Sequence, residues 1–272
     1  MTARRQTLAA PLTFSGIGVH TGAACRIRLV PFAGGIVFQS GKTRLPARVD
    51  FLLEAERGIV LSKDDVTVAV VEHLLSALAA FGVSDALIEV DGPELPFMDG
   101  SAAPFVEALL AGGLISLDTA ASAPLIVSSP LEAREGERFV RVEPADRLEF
   151  DVAIDYPHPL IGKQRWAGPI DAATYRCELA PARSFGFLRE HEALKQMGFA
   201  RGASADNVLV FTEDAVLPGQ TLRFPDEPAR HKALDLLGDL ALVGRPVVGR
   251  VVSFKGGHRL NAMLAAKLAK EA

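Results

Sequence analysis

Cysteine is scarce in this 272-residue chain, which holds only Cys25 and Cys177. Two thiols make no disulfide framework, and their separation fits no thiolate zinc site. The cytoplasm is therefore the expected compartment. A basic excess is missing too: 29 Lys and Arg face 33 Asp and Glu, for a net charge of −4. A general nucleic-acid binder would need that excess to release phosphate counterions. No nucleic-acid partner is expected, and any anionic ligand must be met by a few local groups. Long apolar runs are also lacking, with one stretch to weigh, VTVAVVEHLLSALAAFGV at 66 to 83. It has about the length of a short membrane span, but Glu72 and His73 sit near its middle. A carboxylate at a bilayer centre costs roughly 2.5 to 3.5 kcal/mol. The stretch reads instead as a buried strand-to-helix passage, and no transmembrane segment is expected. The N-terminal MTARRQTLAAPLTF has its apolar stretch broken by Thr7, Pro11 and Thr13, so no secretory signal is expected either.

What the chain does have is apolar material, 49% of its residues, enough to offset the ordering entropy of one large or two modest domains. Two passages share a pattern: EHLLSALAAFGVSDALIEV at 72 to 90, and RHKALDLLGDLALVGRPVVGRVVSF at 230 to 254. Each puts a His second, continues as an amphipathic helix, breaks at Gly82 or Gly244, and ends in β-branched residues. A duplicated unit is the simplest explanation. The polar, Pro-containing SLDTAASAPLIV at 116 to 127 reads as a connection. We therefore expect a first domain over 1–120 carrying Glu72 and His73, and a second over 121–272 carrying His231, Asp235 and His258. Strands are expected in CRIRLVPF, GGIVFQS, TRLPARV, VTVAVV, ALIEV, LIVSSPLEAR, RFVRVEP and RLEFDVAIDY. Helices are expected in HLLSALAAF, APFVEALLAG and FLREHEALKQMG. The predicted class is α+β, each sheet covered by its own helices.

The six histidines can be weighed singly. His191, among charged residues, is expected on plain surface. His158, between Pro157 and Pro159, is expected to be structural. His20, in the Gly-punctuated GIGVHTG, either lines a cleft or is simply exposed. His231 is more informative, because Asp235 and Asp239 follow at four and eight residues and share its helical face. An imidazole and a carboxylate at that spacing can ligate one metal ion, although an isolated HxxxD is more often a satisfied His with ordinary aspartates. His73 occupies the matching place in the other repeat and could supply a third ligand. Two imidazoles and one carboxylate leave a position open for water, the arrangement of a catalytic zinc site. Glu72, beside His73 in apolar sequence, could then act as general base; the alternative is a buried carboxylate paired with an arginine. His258 follows two glycines in KGGHRLN and could act as an acid. Ser184 could donate to an oxyanion, and Lys232 could hold a phosphate as a point charge. LPFMDGSAAPF, from Leu95 to Phe105, reads as a strand end, a DG turn and a helix start capped by Ser101, and structure explains it adequately.

Together SGIGVHTG, VEHLLSAL, MDGSAAPF, ARSFGF, RHKALDLLGDL and KGGHRLN resemble the UDP-3-O-acyl-N-acetylglucosamine deacetylases, zinc hydrolases of bacterial lipid A synthesis. The resemblance runs in order from about residue 4 to the C-terminus. It implies a two-domain α/β sandwich with a repeated β-α-α-β unit and the active site between the domains. It implies His73, His231 and Asp235 as metal ligands, Glu72 as general base and His258 as the catalytic histidine, oriented by Asp239. Ser184 falls where the family usually has a threonine that binds the oxyanion. Phe185 would pack on the sugar, Lys232 contact the nucleotide sugar, Tyr156 stack on uracil, and His20 lie near the acyl chain's exit. The implied cofactor is Zn2+, with Fe2+ fitting the same ligands. The implied substrate is a UDP-linked acylated amino sugar, and we expect a monomer with peripheral membrane contact at most.

Two departures stand out. Where the family has a Thr- or Cys-rich strand and a Ser-Thr pair before VEH, this chain has RGIVL and VAVVEH, and the 40 to 60 region is short. Those elements help shape the substrate cleft. Two other functions keep the same motifs: a non-catalytic sensor of nucleotide sugars or lipids, and a deacetylase of a different acylated amino sugar.

Overall fold

Alternation in Ala24–Val30 sends Cys25, Ile27 and Leu29 into the interior and leaves Arg26 and Arg28 outside. A strand with one wet face needs cover on the other, and the chain provides it in a mixed α and β architecture. The computed structural model describes residues 4–271. Two five-stranded sheets carry the fold. The first contains β1 (Leu12–Ile17), β2 (Ala24–Val30), β3 (Ile36–Ser40), β4 (Thr43–Pro46) and β5 (Ala86–Asp91), in spatial order β1-β2-β5-β3-β4. The second contains β6 (Leu131–Glu135), β7 (Arg138–Glu143), β8 (Glu149–Tyr156), β9 (Gly162–Pro169) and β10 (Arg250–Phe254), in order β6-β7-β10-β8-β9. In both, the last strand enters the centre, antiparallel to the second and parallel to the third.

A parallel neighbour requires a crossover, and a helix supplies it each time. Helix α1 (Glu72–Ala80) precedes β5 and α2 (Ala103–Gly112) follows it. Helix α3 (Glu227–Leu240) precedes β10 and α4 (His258–Lys270) follows it. The order in each half is thus four strands, helix, strand, helix. A central strand thus separates the two helices of each half in the chain, because the crossover must deliver that strand into the sheet. Before each first helix lies an insertion, a small three-stranded sheet within 52–69 in one half and the irregular 170–226 in the other.

Helices α1 and α3 pack on each other with their backbones in contact. A Cβ added at Gly238 would lie 2.1 Å from the Glu72 carbonyl oxygen, so no larger residue fits without separating the helices. Just ahead of α1, Val70 adopts a left-handed φ of 58°, a strained conformation for a β-branched residue that turns the chain into the helix.

Two expected elements differ. LIVSSPLEAR divides into Leu125–Ile126 and β6, since Pro130 has no amide to donate to a ladder. Within FLREHEALKQMG only His191–Gln196 is α-helical, because Phe187 is committed to a strand paired with Phe211. The helix starts at Ala103 with Ala102 rather than Ser101 at its N-cap, while the Ser101 Oγ accepts the Ala103 amide at 3.2 Å.

Asp85, fully buried, ties the first sheet to a strand over Arg4–Leu8. It accepts the Gly34 and Gly35 amides at 2.8 Å each, the Ser84 hydroxyl, and the Arg5 guanidinium. Burial by itself would raise its pKa, but these donors together hold the carboxyl below its ordinary value. The sign follows from linkage: a depressed carboxylate contributes stability above its unfolded pKa of about 3.9 and loses it as pH falls through the folded value. Asp85→Ala is expected to cost about 3 kcal/mol near pH 7, where Arg5 and two amides lose their partner. The gap from wild type in urea unfolding should shrink below about pH 4; an equal gap at pH 7 and pH 3 would refute the assignment.

Candidate active site

Helix α3 places Glu227, His231, Asp235 and Asp239 at successive four-residue steps, and all four are buried. Such a polar stripe on an inward face needs partners for its groups. His231 Nε2 lies 3.3 Å from Asp235 Oδ1. His73, at the second position of α1, brings its Nε2 to 3.7 Å from the same oxygen. The ligand atoms of His73, His231 and Asp235 all lie within 4.8 Å of one another. His231 Nδ1 donates to the Ala182 carbonyl at 3.1 Å, which leaves the Nε2 lone pair aimed at the cluster. Asp235 Oδ1 is buried with no hydrogen-bond partner. An orphaned carboxylate oxygen beside two imidazole nitrogens is what a bound divalent cation would satisfy, so these residues fit one.

The charges agree with that reading. Burial, aided by the neighbouring His231, pushes the His73 pKa down to about 3, and burial likewise lowers His231. In both, burial favours the neutral imidazole, the form in which a histidine ligates a metal. Burial opposes ionisation of Asp235, yet His231, Lys232 and His258 hold its carboxyl well below the usual range. Lys232 Nζ bonds Asp235 Oδ2 at 2.9 Å.

Glu72 and His258 face each other beside this cluster. Glu72 Oε2 accepts the Ile59 amide at 3.0 Å, and Oε1 lies 4.0 Å from His258 Nε2. Its neighbours are thus a backbone amide and an imidazole, not the arginine that sequence alone left open. Burial pushes Glu72 up to about 7, within reach of a general base at neutral pH. His258 Nδ1 lies 2.9 and 3.1 Å from the two oxygens of Asp239, and Asn261 Nδ2 donates to Asp239 Oδ2 at 2.8 Å. Burial works against the imidazolium, but Asp239 and Asp235 outweigh it and push His258 up to about 9. A candidate base and a candidate acid therefore face each other within one cavity.

That cavity measures about 490 Å³, and Glu72, His73, Tyr156, Ser184, Phe185, His231, Lys232, Asp235, His258 and His20 all line it. Asp239 lies beneath, fully buried. Ser184 Oγ is 2.9 Å from His231 Nε2 and 3.4 Å from His73 Nε2. Tyr156 meets Phe185 edge-on at 5.5 Å, and Lys232 Nζ sits 5.7 Å above the Phe185 ring. His20 stands farther out, its Nε2 3.1 Å from the Arg57 carbonyl and its ring against Phe199. Glu94, buried, fixes the His20 turn by accepting the His20 and Thr21 amides at 3.0 and 2.9 Å.

One reading needs correction. His191, expected on plain surface, is partly buried and lines the cavity, because the short helix His191–Gln196 turns His191 and Leu194 toward it. His158 is buried, accepts the Leu160 amide on Nδ1 and meets the Thr212 carbonyl at 3.0 Å through Nε2. The divergent RGIVL stretch supplies Arg57 to the cavity wall and the Ile59 amide to Glu72. Sequence reasoning missed Glu94, Asn261 and Arg57; the HRLN spacing of three was the one available signal, since it puts Asn261 on the face of His258.

Residues 5–270 match the family model of UDP-3-O-acyl N-acetylglycosamine deacetylase. A protein of Phenylobacterium zucineum named UDP-3-O-acyl-N-acetylglucosamine deacetylase is 41% identical, over 97% of this chain and 93% of its own. Proteins of the same name from Nitratiruptor and Syntrophotalea carbinolica are 37% and 41% identical, over 98% and 97% of this chain and 91% and 87% of theirs. A match of this extent settles membership: the chain belongs to the UDP-3-O-acyl N-acetylglycosamine deacetylase family.

Proposed function

We propose that the chain removes the N-acetyl group of UDP-3-O-acyl-N-acetylglucosamine, releasing acetate and UDP-3-O-acyl-glucosamine, an early step of lipid A biosynthesis. The observation that carries this reading is the meeting of Glu72 and His258 at 4.0 Å beside the unpartnered Asp235 oxygen. His73, His231 and Asp235 would hold a divalent cation, zinc or ferrous iron by the chemistry of two imidazoles and a carboxylate. Such a cation, when bound, supplies Lewis acidity toward a carbonyl oxygen and acidifies water.

The chain's own residues account for the proton traffic. Glu72 takes a proton from the attacking water as its oxygen bonds to the acetyl carbon. The Ser184 hydroxyl, turned from His231 toward substrate, donates to the carbonyl oxygen as charge builds there. His258 then gives its Nε2 proton to the amine nitrogen as the C–N bond breaks, while Asp239 keeps Nδ1 protonated and the ring aligned. Lys232 offsets negative charge on substrate and on Asp235, and Tyr156 and Phe185 offer aromatic faces to the sugar nucleotide. The apolar side chains of Leu188, Leu194, Phe199, Val208, Val210 and Leu217 line the rest of the cavity and suit an acyl chain, with His20 at the outer end.

The same topology in the two sheets supports a duplicated unit, with domains over 1–120 and 121–272 sandwiching the site. None of the described helices is long and apolar enough to cross a membrane. We take the protein to be a cytoplasmic monomer that touches membrane only peripherally. Incubation with UDP-3-O-acyl-N-acetylglucosamine, following acetate release beside metal content, tests the function. Stoichiometric acetate with about one bound metal is the expected result; metal without acetate would make the chain a sensor, and acetate only from another acylated amino sugar would change the substrate.

A further inference from the structure

The MDGS turn, which sequence explained as a helix start, has a second connection. Gly100 carries φ +81°, and a Cβ there would lie 2.0 Å from the Asn207 carbonyl oxygen, so the turn is wedged against the inserted segment of the other half. Its carbonyl accepts the Ser184 amide at 2.7 Å, and the Ala102 amide donates to Ala180 O at 3.0 Å. The strap from Ala180 to Ser184 is thus hung on this turn. Asp99 binds Ser101 through Oδ1, and through Oδ2 accepts Arg223 Nη2 at 2.8 Å. The same guanidinium donates from Nη1 to Pro181 O at 2.8 Å, within the strap.

A second fixture lies on the opposite side. Glu227, fully buried on α3, accepts the Arg183 amide, Nε and Nη2 at 3.0, 2.8 and 3.1 Å, and the Arg223 amide at 2.7 Å. One carboxylate therefore holds both the strap and the root of Arg223. The strap's two contributions to the site, Ala182 O on His231 Nδ1 and Ser184 Oγ on His231 Nε2, flank an imidazole one turn further along the same helix. Neither Asp99, Arg223 nor Glu227 lines the cavity.

We propose that Asp99, Arg223 and Glu227 are positioning residues for the deacetylation, clamping the strap so that the Ser184 hydroxyl is held where the carbonyl oxygen develops charge. This rests on the reading of Ser184 given above. Preorganisation of a donor is what makes it effective in a transition state, and a misplacement of about 1 Å can cost on the order of 100-fold in rate. The loss should therefore fall on kcat and leave KM alone. Asp99 and Arg223 are partly exposed, so they can be changed without opening the core. Asp99→Asn keeps an acceptor for Ser101 and removes the charge that holds Arg223.

The test is a set of Asp99→Asn, Arg223→Gln and Ser184→Ala variants, alone and combined, assayed for kcat and KM with UDP-3-O-acyl-N-acetylglucosamine and for Tm. Asp99→Asn and Arg223→Gln are expected to lower kcat at least tenfold with KM within threefold and Tm little changed, and Arg223→Lys to recover part of the loss. In the Ser184→Ala background, Asp99→Asn should cost less than twofold more. A full further loss in that background, a loss confined to KM, or wild-type kcat in both single variants would overturn the clamp while leaving Ser184 in place. A wild-type kcat for Ser184→Ala would overturn the role of the hydroxyl itself and the clamp with it.

Discussion

Replacing Glu72 by glutamine is expected to lower kcat by roughly 10²- to 10⁴-fold, the range associated with a positioned general base, while the protein still binds about one metal. The amide is nearly isosteric, and its oxygen can keep the Ile59 amide that Glu72 accepts at 3.0 Å. The fit against Gly58, whose added Cβ would lie 2.9 Å from Glu72 Oε1, is also kept. What disappears is the capacity to accept a proton. His258→Ala should give a loss of similar size for the complementary reason, since the acid that faces Glu72 is gone and Asp239 is left with Asn261. Because both act in one proton relay, the double variant should fall little below the worse single. Acetate release for turnover and elemental analysis for metal read the two effects separately, and wild-type-like turnover in both single variants would refute the relay.

How much of this was legible in the sequence depends on whether a residue's partner is local. His231, Asp235 and Asp239 are legible, since four-residue spacing places them on one helical face before any tertiary contact exists. His73 was reachable through the similarity of two passages and through the VEHLLSAL motif rather than through helical spacing, and its approach depends on Gly238 letting α1 and α3 touch. The family motifs drew attention to Ser184, His258 and the Asp239 behind it, but not to Asn261 or to what holds Ser184. The clamp joins Asp99 to Arg223, 124 residues apart, and Glu227 to Arg183, 44 apart, and no periodicity encodes such pairs. Glu227 lies in the first turn of α3, where an acidic residue is ordinarily accounted for by the helix dipole alone. His191 misled for the opposite reason: its charged neighbours mark a solvated face, but the other side of the short helix, with His191 and Leu194, lines the cavity. Strand order was illegible too, because the central strand of each sheet arrives last in the chain.

Asp235→Asn is expected to abolish metal binding and activity together. Among the three converging ligands Asp235 alone is a carboxylate, and its Oδ1 approaches both imidazoles, at 3.3 and 3.7 Å. An amide oxygen there is neutral and a much poorer ligand, and the adjacent Lys232, which now bonds Asp235 Oδ2, would stand as an uncompensated cation beside the site. Two imidazoles next to an ammonium group hold a divalent ion poorly, so the variant should purify with less than about a tenth of an equivalent. The decisive reading is independent of turnover. A ligand that binds only the folded state stabilises it by RT ln(1 + [L]/Kd), about 4 kcal/mol at a thousand times Kd. Metal-stripped wild type should therefore gain several degrees in Tm on adding zinc, whereas Asp235→Asn should not respond at the same concentration. Lys232→Met separates charge from ligation: the carboxylate oxygen facing the imidazoles remains, so the Tm response to zinc should persist while KM for the UDP-linked substrate rises. Tight zinc binding by Asp235→Asn, or its loss in Lys232→Met alone, would remove Asp235 from the ligand set.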